Sequence, residues 1–204
     1  MVTSFLFIRH GQTAWNQVHR MQGQTDIPLN ASGKMQAEQI ADLLRTYPIH
    51  VFYTSPLQRT HETARTIHAY HQTIPMYIHH TLKERSFGVI EGKTYDEIAD
   101  QFPALAFDRS WHHPYFQIPG GERLIDVYMR GEQFLQEVIE KEQGKTVAVI
   151  AHGVIIRCMI SALLKWPLTN NYFYELNNTS VTMIRVPTTG EPELQMINYT
   201  AHLK

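Results

Sequence analysis

The chain has 204 residues, which at a prior of roughly 150 per domain is one domain, 1–204, with room for an insertion. Its 18 Lys and Arg balance 19 Asp and Glu, and 43% of residues are hydrophobic, so a polyelectrolyte for nucleic acid and a disordered chain are both excluded. The one cysteine, Cys158, rules out an internal disulfide and multi-cysteine metal centres, and no basic leader or long apolar run is present, so a cytoplasmic protein away from membranes is expected.

The elements follow in chain order. Residues 4–8 (S-F-L-F-I) form a short apolar run that stops at Arg9-His10-Gly11, the pattern of a buried strand. Asn30 is a good N-cap for a helix presenting Met35, Ile40, Leu43 and Leu44 on one face, ended by Tyr47-Pro48. A second strand covers 50–54. Ser55-Pro56 then supplies an N-cap and a first-turn proline for a helix reaching about Tyr70, and a third strand covers 74–79. From Leu82 to Gly121 the pattern loosens around Pro103, Pro114 and Pro119, with one short helix over 94–101. Regularity returns after Glu122, where Leu124, Val127, Phe134, Leu135, Val138 and Ile139 trace a helix face. Residues 146–150 (T-V-A-V-I) are the clearest strand, a helix follows over 154–164, and 179–186 and 193–198 read as edge strands.

This alternation implies an α/β fold: a three-layer α/β/α sandwich, its mostly parallel sheet covered by helices on both faces. The stretch 85–121 reads as an insertion or lid over the active-site end. In such sheets ligands sit at the carboxyl ends of the strands. Those ends hold Arg9-His10-Gly11, Ser55-Pro56-Leu57-Gln58-Arg59 and Ala151-His152-Gly153. If the strands are neighbours, two arginines and two histidines meet, and they repel one another unless an anion lies among them. At about 4 Å and an effective dielectric near 20, each charge contact is worth about 4 kcal/mol, which suits a dianionic phosphoryl group.

The run Phe7-Ile8-Arg9-His10-Gly11-Gln12-Thr13-Ala14-Trp15-Asn16 resembles the signature of the histidine phosphatase (phosphoglycerate mutase-like) superfamily. The likeness continues, in the family's order, through Gln22-Gly23, Ser55-Pro56-Leu57-Gln58-Arg59, Leu82-Lys83-Glu84-Arg85, Glu91-Gly92, Gly121-Glu122 and Ala151-His152-Gly153. It implies His10 as the nucleophile that becomes a phosphohistidine, and Arg9, Arg59 and His152 as the clamp on the phosphoryl oxygens. Asn16, Gln22, Gly23 and Gly153 would line the phosphate pocket, and Glu84 would protonate the leaving oxygen. No metal and no cofactor is implied, the partner is a small phosphorylated metabolite, and a homodimer is left open.

Each residue also has a plainer reading. A lone arginine after a strand is usually a solvated ion pair, and a lone histidine or Glu84 a surface group. Joint occurrence in family order reverses that weighting. His68 and His71 have metal-clip spacing (i, i+3) on one helix, but the weight lies on a structural role. Cys158 reads as a small buried hydrophobe. Phe102, Phe107, Trp111, Tyr115 and Phe116 either pack the insertion or line the substrate mouth. Trp111 and Phe116 are the rim candidates, joined by Arg123, which adds a third cation near the leaving group or points outward.

The local wording, notably Met21-Gln22-Gly23 and residues 91–98, is most similar to the bacterial broad-specificity phosphatases. The mutases of the family are longer and carry extra basic residues between the acid and the second histidine. Here only Lys93 and Arg109 lie between Gly92 and Glu122, histidines aside. The expected activity is therefore hydrolysis of phosphomonoesters with broad specificity. A mutase, or a phosphatase of the fructose-2,6-bisphosphatase-like or α-ribazole-phosphatase-like kind, is the alternative, and a non-catalytic phospho-ligand binder ranks last.

Overall fold

Four short apolar runs become parallel strands, and their spacing along the chain leaves room for a helix between most of them. The computed structural model describes residues 1–108, 113–170 and 174–203. In chain order the elements are β1 (Val2–Arg9), α1 (Ala14–Gln17), α2 (Ala31–Leu44), β2 (Val51–Thr54), α3 (Gln58–His68), β3 (Met76–Ile78), α4 (Tyr95–Gln101), α5 (Pro103–Asp108), α6 (Leu124–Lys141), β4 (Thr146–Ala151), α7 (Gly153–Leu164), β5 (Val181–Pro187) and β6 (Glu193–Tyr199). They form one sheet in the order β3-β2-β4-β1-β5-β6. β1 to β4 run parallel, β5 runs antiparallel to β1, and β6 runs antiparallel to β5.

The pleat of β1 divides the core into two. Phe5 and Phe7 point with Val147 and Val149 to the face covered by α6 and α7, while Leu6 and Ile8 point with Ala148 and Ile150 to the face covered by α2 and α3. Both sets are excluded from solvent, which is why these strands read as continuous apolar runs. α6 and α7 pack closely because Gly131 faces Ile155 and Met159; a Cβ there would stand 3.1 Å from each of their side chains. Leu124, Val127, Phe134, Leu135 and Val138 are all buried from α6, each worth about 1.5–3 kcal/mol relative to exposure.

Four expectations need correction. Met35 and Leu43 are exposed, and α2 is seated instead by Ala37, Ile40, Ala41 and Leu44. Ser55 does not cap α3; that helix starts three residues later, with Leu57 at the N-cap, and the Ser55 hydroxyl accepts from Leu57 N–H. β5 is no edge strand, since it lies between β1 and β6. The loosened stretch holds a second helix, α5, directly after α4. His68 and His71 turn their Nε2 atoms onto the Ile74 and Leu44 carbonyls, which accounts for their spacing without a metal. Cys158 is buried on α7. No helix among the described residues is long and apolar enough to cross a membrane.

Candidate active site

β1, β4 and β2 are neighbours, and their registers pair Arg9 with Ala151 and Thr54 with Ile150. Their carboxyl ends are therefore level, and the next residues, His10, His152 and Ser55, emerge side by side. His10 N–H donates to the Ala151 carbonyl. The rings of His10 and His152 lie 5.2 Å apart, edge to face. Gly11 carries the chain away against α2, where a Cβ would stand 2.5 Å from the Gly33 carbonyl oxygen, so no larger residue fits this turn.

The hydrogen bonds fix what each group can offer. His10 Nδ1 lies 2.7 Å from the Gly11 carbonyl, which cannot donate, so Nδ1 carries the proton and Nε2 keeps its lone pair. Burial, then the charges of Arg59 and Arg9, hold the His10 pKa well below the usual histidine range. Burial and Arg59 do the same to His152, so it is a neutral ring rather than the cation expected of it. Arg59 Nε donates to His152 Nδ1 at 3.2 Å, which leaves His152 Nε2–H to donate to Ser55 Oγ at 2.9 Å.

Arg59, in the first turn of α3, is 1% exposed and donates to the carbonyls of Thr25 and Gly23 at 2.9 and 2.7 Å. One N–H on each terminal nitrogen is left over. Arg9 donates through Nη1 to Leu176 O, while its Nε is shielded from solvent with no partner among the described residues. Neither arginine joins an ion pair among the described residues. Burial pushes both down to about 10, so both stay charged at neutral pH.

The amides are oriented too. Asn16 Oδ1 accepts from Thr13 N–H and Asn178 Nδ2, which leaves its NH₂ as the free end. Gln22 Oε1 accepts from Thr13 Oγ1 in the same way. Glu84 is 8% exposed, and its carboxylate accepts from the N–H groups of Arg85, Val154 and Ile155. It thereby caps α7, whose N-cap His152 offers no side-chain bond of its own.

Arg9, His10, Asn16, Gln22, Gly23, Arg59, Glu84 and Gly153 all line one cleft of about 540 Å³. His152 stands behind them against His10. The rim candidates fare differently. Trp111 lies outside the described residues. Phe116 packs against the core and does not line the cleft. Arg123 turns its guanidinium onto Asp126, 2.5 Å away at the start of α6, and contributes no cation to the cleft.

The further cations that do reach the cleft are Arg20, paired with Glu97, and Arg157, on α7. Arg157 lies four residues past Gly153, on the same helix face, so helical periodicity placed it there. A Cβ on Gly153 would stand 3.5 Å from Arg157 Nη2 and 3.8 Å from Arg9 Nε. The aromatic wall likewise comes from elsewhere: Trp15 within the signature run, Phe87 after Glu84 and Tyr95 on α4.

The family model for the histidine phosphatase superfamily (branch 1) matches residues 5–200, and the chain belongs to that superfamily. Phosphoserine phosphatase 1 of Hydrogenobacter thermophilus is 32% identical over 203 residues, covering 99% of this chain and 95% of the relative. A probable phosphoglycerate mutase, GpmB, of Enterobacter is 31% identical over 183 residues, covering 87% and 82%. Among solved structures, Bacillus stearothermophilus YhfR superposes with a TM-score of 0.90 at 33% identity, over 99% of this chain and all of that one.

Proposed function

We propose that this chain is a metal-independent phosphomonoester hydrolase of broad specificity, working through a phosphohistidine on His10. One observation carries the reading: the His10 Nε2 lone pair opens into a cleft between two arginines that form no ion pair with a carboxylate among the described residues. A phosphoryl dianion is the group that neutralises them.

In the first step Nε2 attacks phosphorus and the P–O ester bond breaks. Glu84 gives its proton to the departing oxygen, which leaves as an alcohol. The Arg9 and Arg59 N–H groups left over, with the NH₂ groups of Asn16 and Gln22, hold the equatorial oxygens. In the second step the Glu84 carboxylate takes a proton from water, whose oxygen attacks phosphorus. The P–N bond breaks, inorganic phosphate leaves, and neutral His10 is restored. The arginines offset the charge throughout, which leaves no step that requires a metal.

Water access favours hydrolysis over mutase chemistry. Lys93, the described basic side chain of the stretch between Gly92 and Glu122, lies over the Phe102 ring and outside the cleft, whose lining includes the apolar and aromatic side chains of Trp15, Met21, Phe87 and Tyr95. A phosphatase among the near full-length relatives is consistent with this. A cytoplasmic location fits a chain whose one cysteine can form no internal disulfide. The test is a panel of phosphomonoesters assayed for free phosphate, with 3-phosphoglycerate included and its isomerised product measured in parallel. Faster isomerisation of 3-phosphoglycerate than hydrolysis of any monoester would establish a mutase instead.

A further inference from the structure

Residues 83–87 carry the acid, yet they form neither helix nor strand, so their backbone groups must find partners elsewhere. Most of those partners come from two side chains that do not line the cleft, while Gln24 Nε2 adds a bond to the Glu84 carbonyl and Glu91 accepts from Phe87 N–H. Arg130, on α6, donates through Nη1 to the carbonyls of Thr81 and Lys83 at 2.5 and 2.6 Å, and through Nη2 to the Glu84 carbonyl at 3.0 Å. The same guanidinium holds the Glu122 carboxylate at two points, 3.0 and 3.1 Å. Glu122 closes the other side: its carboxylate accepts from Ser86 N–H at 2.8 Å and its carbonyl from Arg85 Nε at 2.9 Å. Its own N–H donates back to the Ser86 carbonyl. Arg130 and Glu122 side chains are only 17% and 25% exposed, and α6 is anchored by its buried apolar face.

We propose that Arg130 and Glu122 are positioning residues that hold the Glu84 carboxyl within reach of the leaving oxygen. The inference rests on the reading of Glu84 as proton donor. Its backbone is fixed by this brace and its carboxyl by the N-terminus of α7, so the acid is strung between two helices that pack on each other. Loosening the brace shifts the donor without touching His10, Arg9 or Arg59.

The signature is dependence on the leaving group. An aryl phosphate expels a phenolate that needs no proton, whereas an alkyl phosphate needs the acid. We would compare Arg130→Lys, Glu122→Gln and Glu84→Gln in the full chain by the rate of phosphoenzyme formation from p-nitrophenyl phosphate and from glycerol phosphate. Lysine cannot make the two-point contact, so Arg130→Lys should slow the alkyl ester by about 10- to 100-fold, part of the roughly 10²–10⁴ a general acid supplies. The aryl ester should slow by no more than about threefold, which also reports an intact fold and clamp. Glu122→Gln keeps the side-chain shape and carries the test if Arg130→Lys does not fold. Equal losses on both esters, no loss on either, or failure of both variants to fold would overturn the proposal while Glu84→Gln stays selective. Absence of selectivity in Glu84→Gln itself would refute the acid assignment, and the brace with it.

Discussion

Gly23→Ala is a severe substitution, because two independent costs fall on one methyl group. Gly23 has φ +53°, a left-handed conformation that costs a residue with a Cβ about 1 kcal/mol. The new Cβ would also stand 2.0 Å from Glu91 Oε1, well inside contact distance, so the carboxylate must leave. At present that carboxylate accepts from Gln24 and Phe87 N–H at Oε1, and from Thr25 N–H and hydroxyl at Oε2. Losing two of these charge-assisted bonds costs about 3 kcal/mol. The sum, about 4 kcal/mol, lowers the melting temperature by roughly 8–16 °C for a chain of this size. Activity should fall with it, since Gly23 and Thr25 present the carbonyls that hold Arg59. Urea unfolding at pH 7.5 and kcat/KM on one aryl ester measure both effects. A variant with native midpoint and native kcat/KM would show that neither the backbone angle nor the Glu91 seat matters, and the reasoning would fall.

Four further outcomes are expected. His10→Ala should abolish turnover together with an acid-labile, alkali-stable phosphoprotein formed on brief incubation with labelled substrate; retention of the label would remove His10 from the mechanism. Exhaustive chelation should leave the rate unchanged, and a loss restored by magnesium or manganese would contradict the arginine-based account. His10 and His152 have folded pKa values well below the 6.5 of the unfolded chain, so their stabilising contribution is complete above pH 6.5 and drains away below it, by up to about 2.7 kcal/mol per pH unit for the two. A urea midpoint that stays flat between pH 6.5 and 5.5 would refute this. Trp15→Ala should raise KM for aryl phosphates about tenfold while sparing small sugar phosphates, the lower end of what burying one ring is worth; an unchanged ranking of substrates would exclude ring contact.

The parts of this site that were legible in the sequence share one physical property: they follow directly from a strand's end. Arg9, His10 and His152 are placed by the sheet register alone, and Arg59 by the first turn of the next helix. What was hidden depended on the directions of side chains. Arg123 looked available as a cation because its residue type and its place beside Glu122 said nothing of Asp126, three positions on, which engages it. Arg157 was legible in principle, one turn past Gly153, but nothing in its apolar helix marked it as facing the cleft. The aromatic wall was sought in the proline-rich stretch, where aromatics are densest. Phe116 instead serves the core, and Trp15, within the signature run itself, reaches the cleft. The charge of His152 could not be read from its type either, because total burial, with Arg59 the foremost of the neighbouring charges, decides it.

The strand that ends just before His10 is paired on both sides by segments made much later. β1 lies between β4 and β5, and the backbone of Arg9 and His10 is tied to Thr179 and Asn178 just before β5. During synthesis, at about 5–20 residues per second, the run Phe5-Leu6-Phe7-Ile8 therefore waits on the order of ten seconds for its first partner strand. Over that interval it is an apolar segment of high β-propensity with open backbone groups on both edges. Catalytic competence must emerge late and all at once as the last third of the chain leaves the ribosome, and a nascent chain stalled before β4 would be a substrate for chaperones.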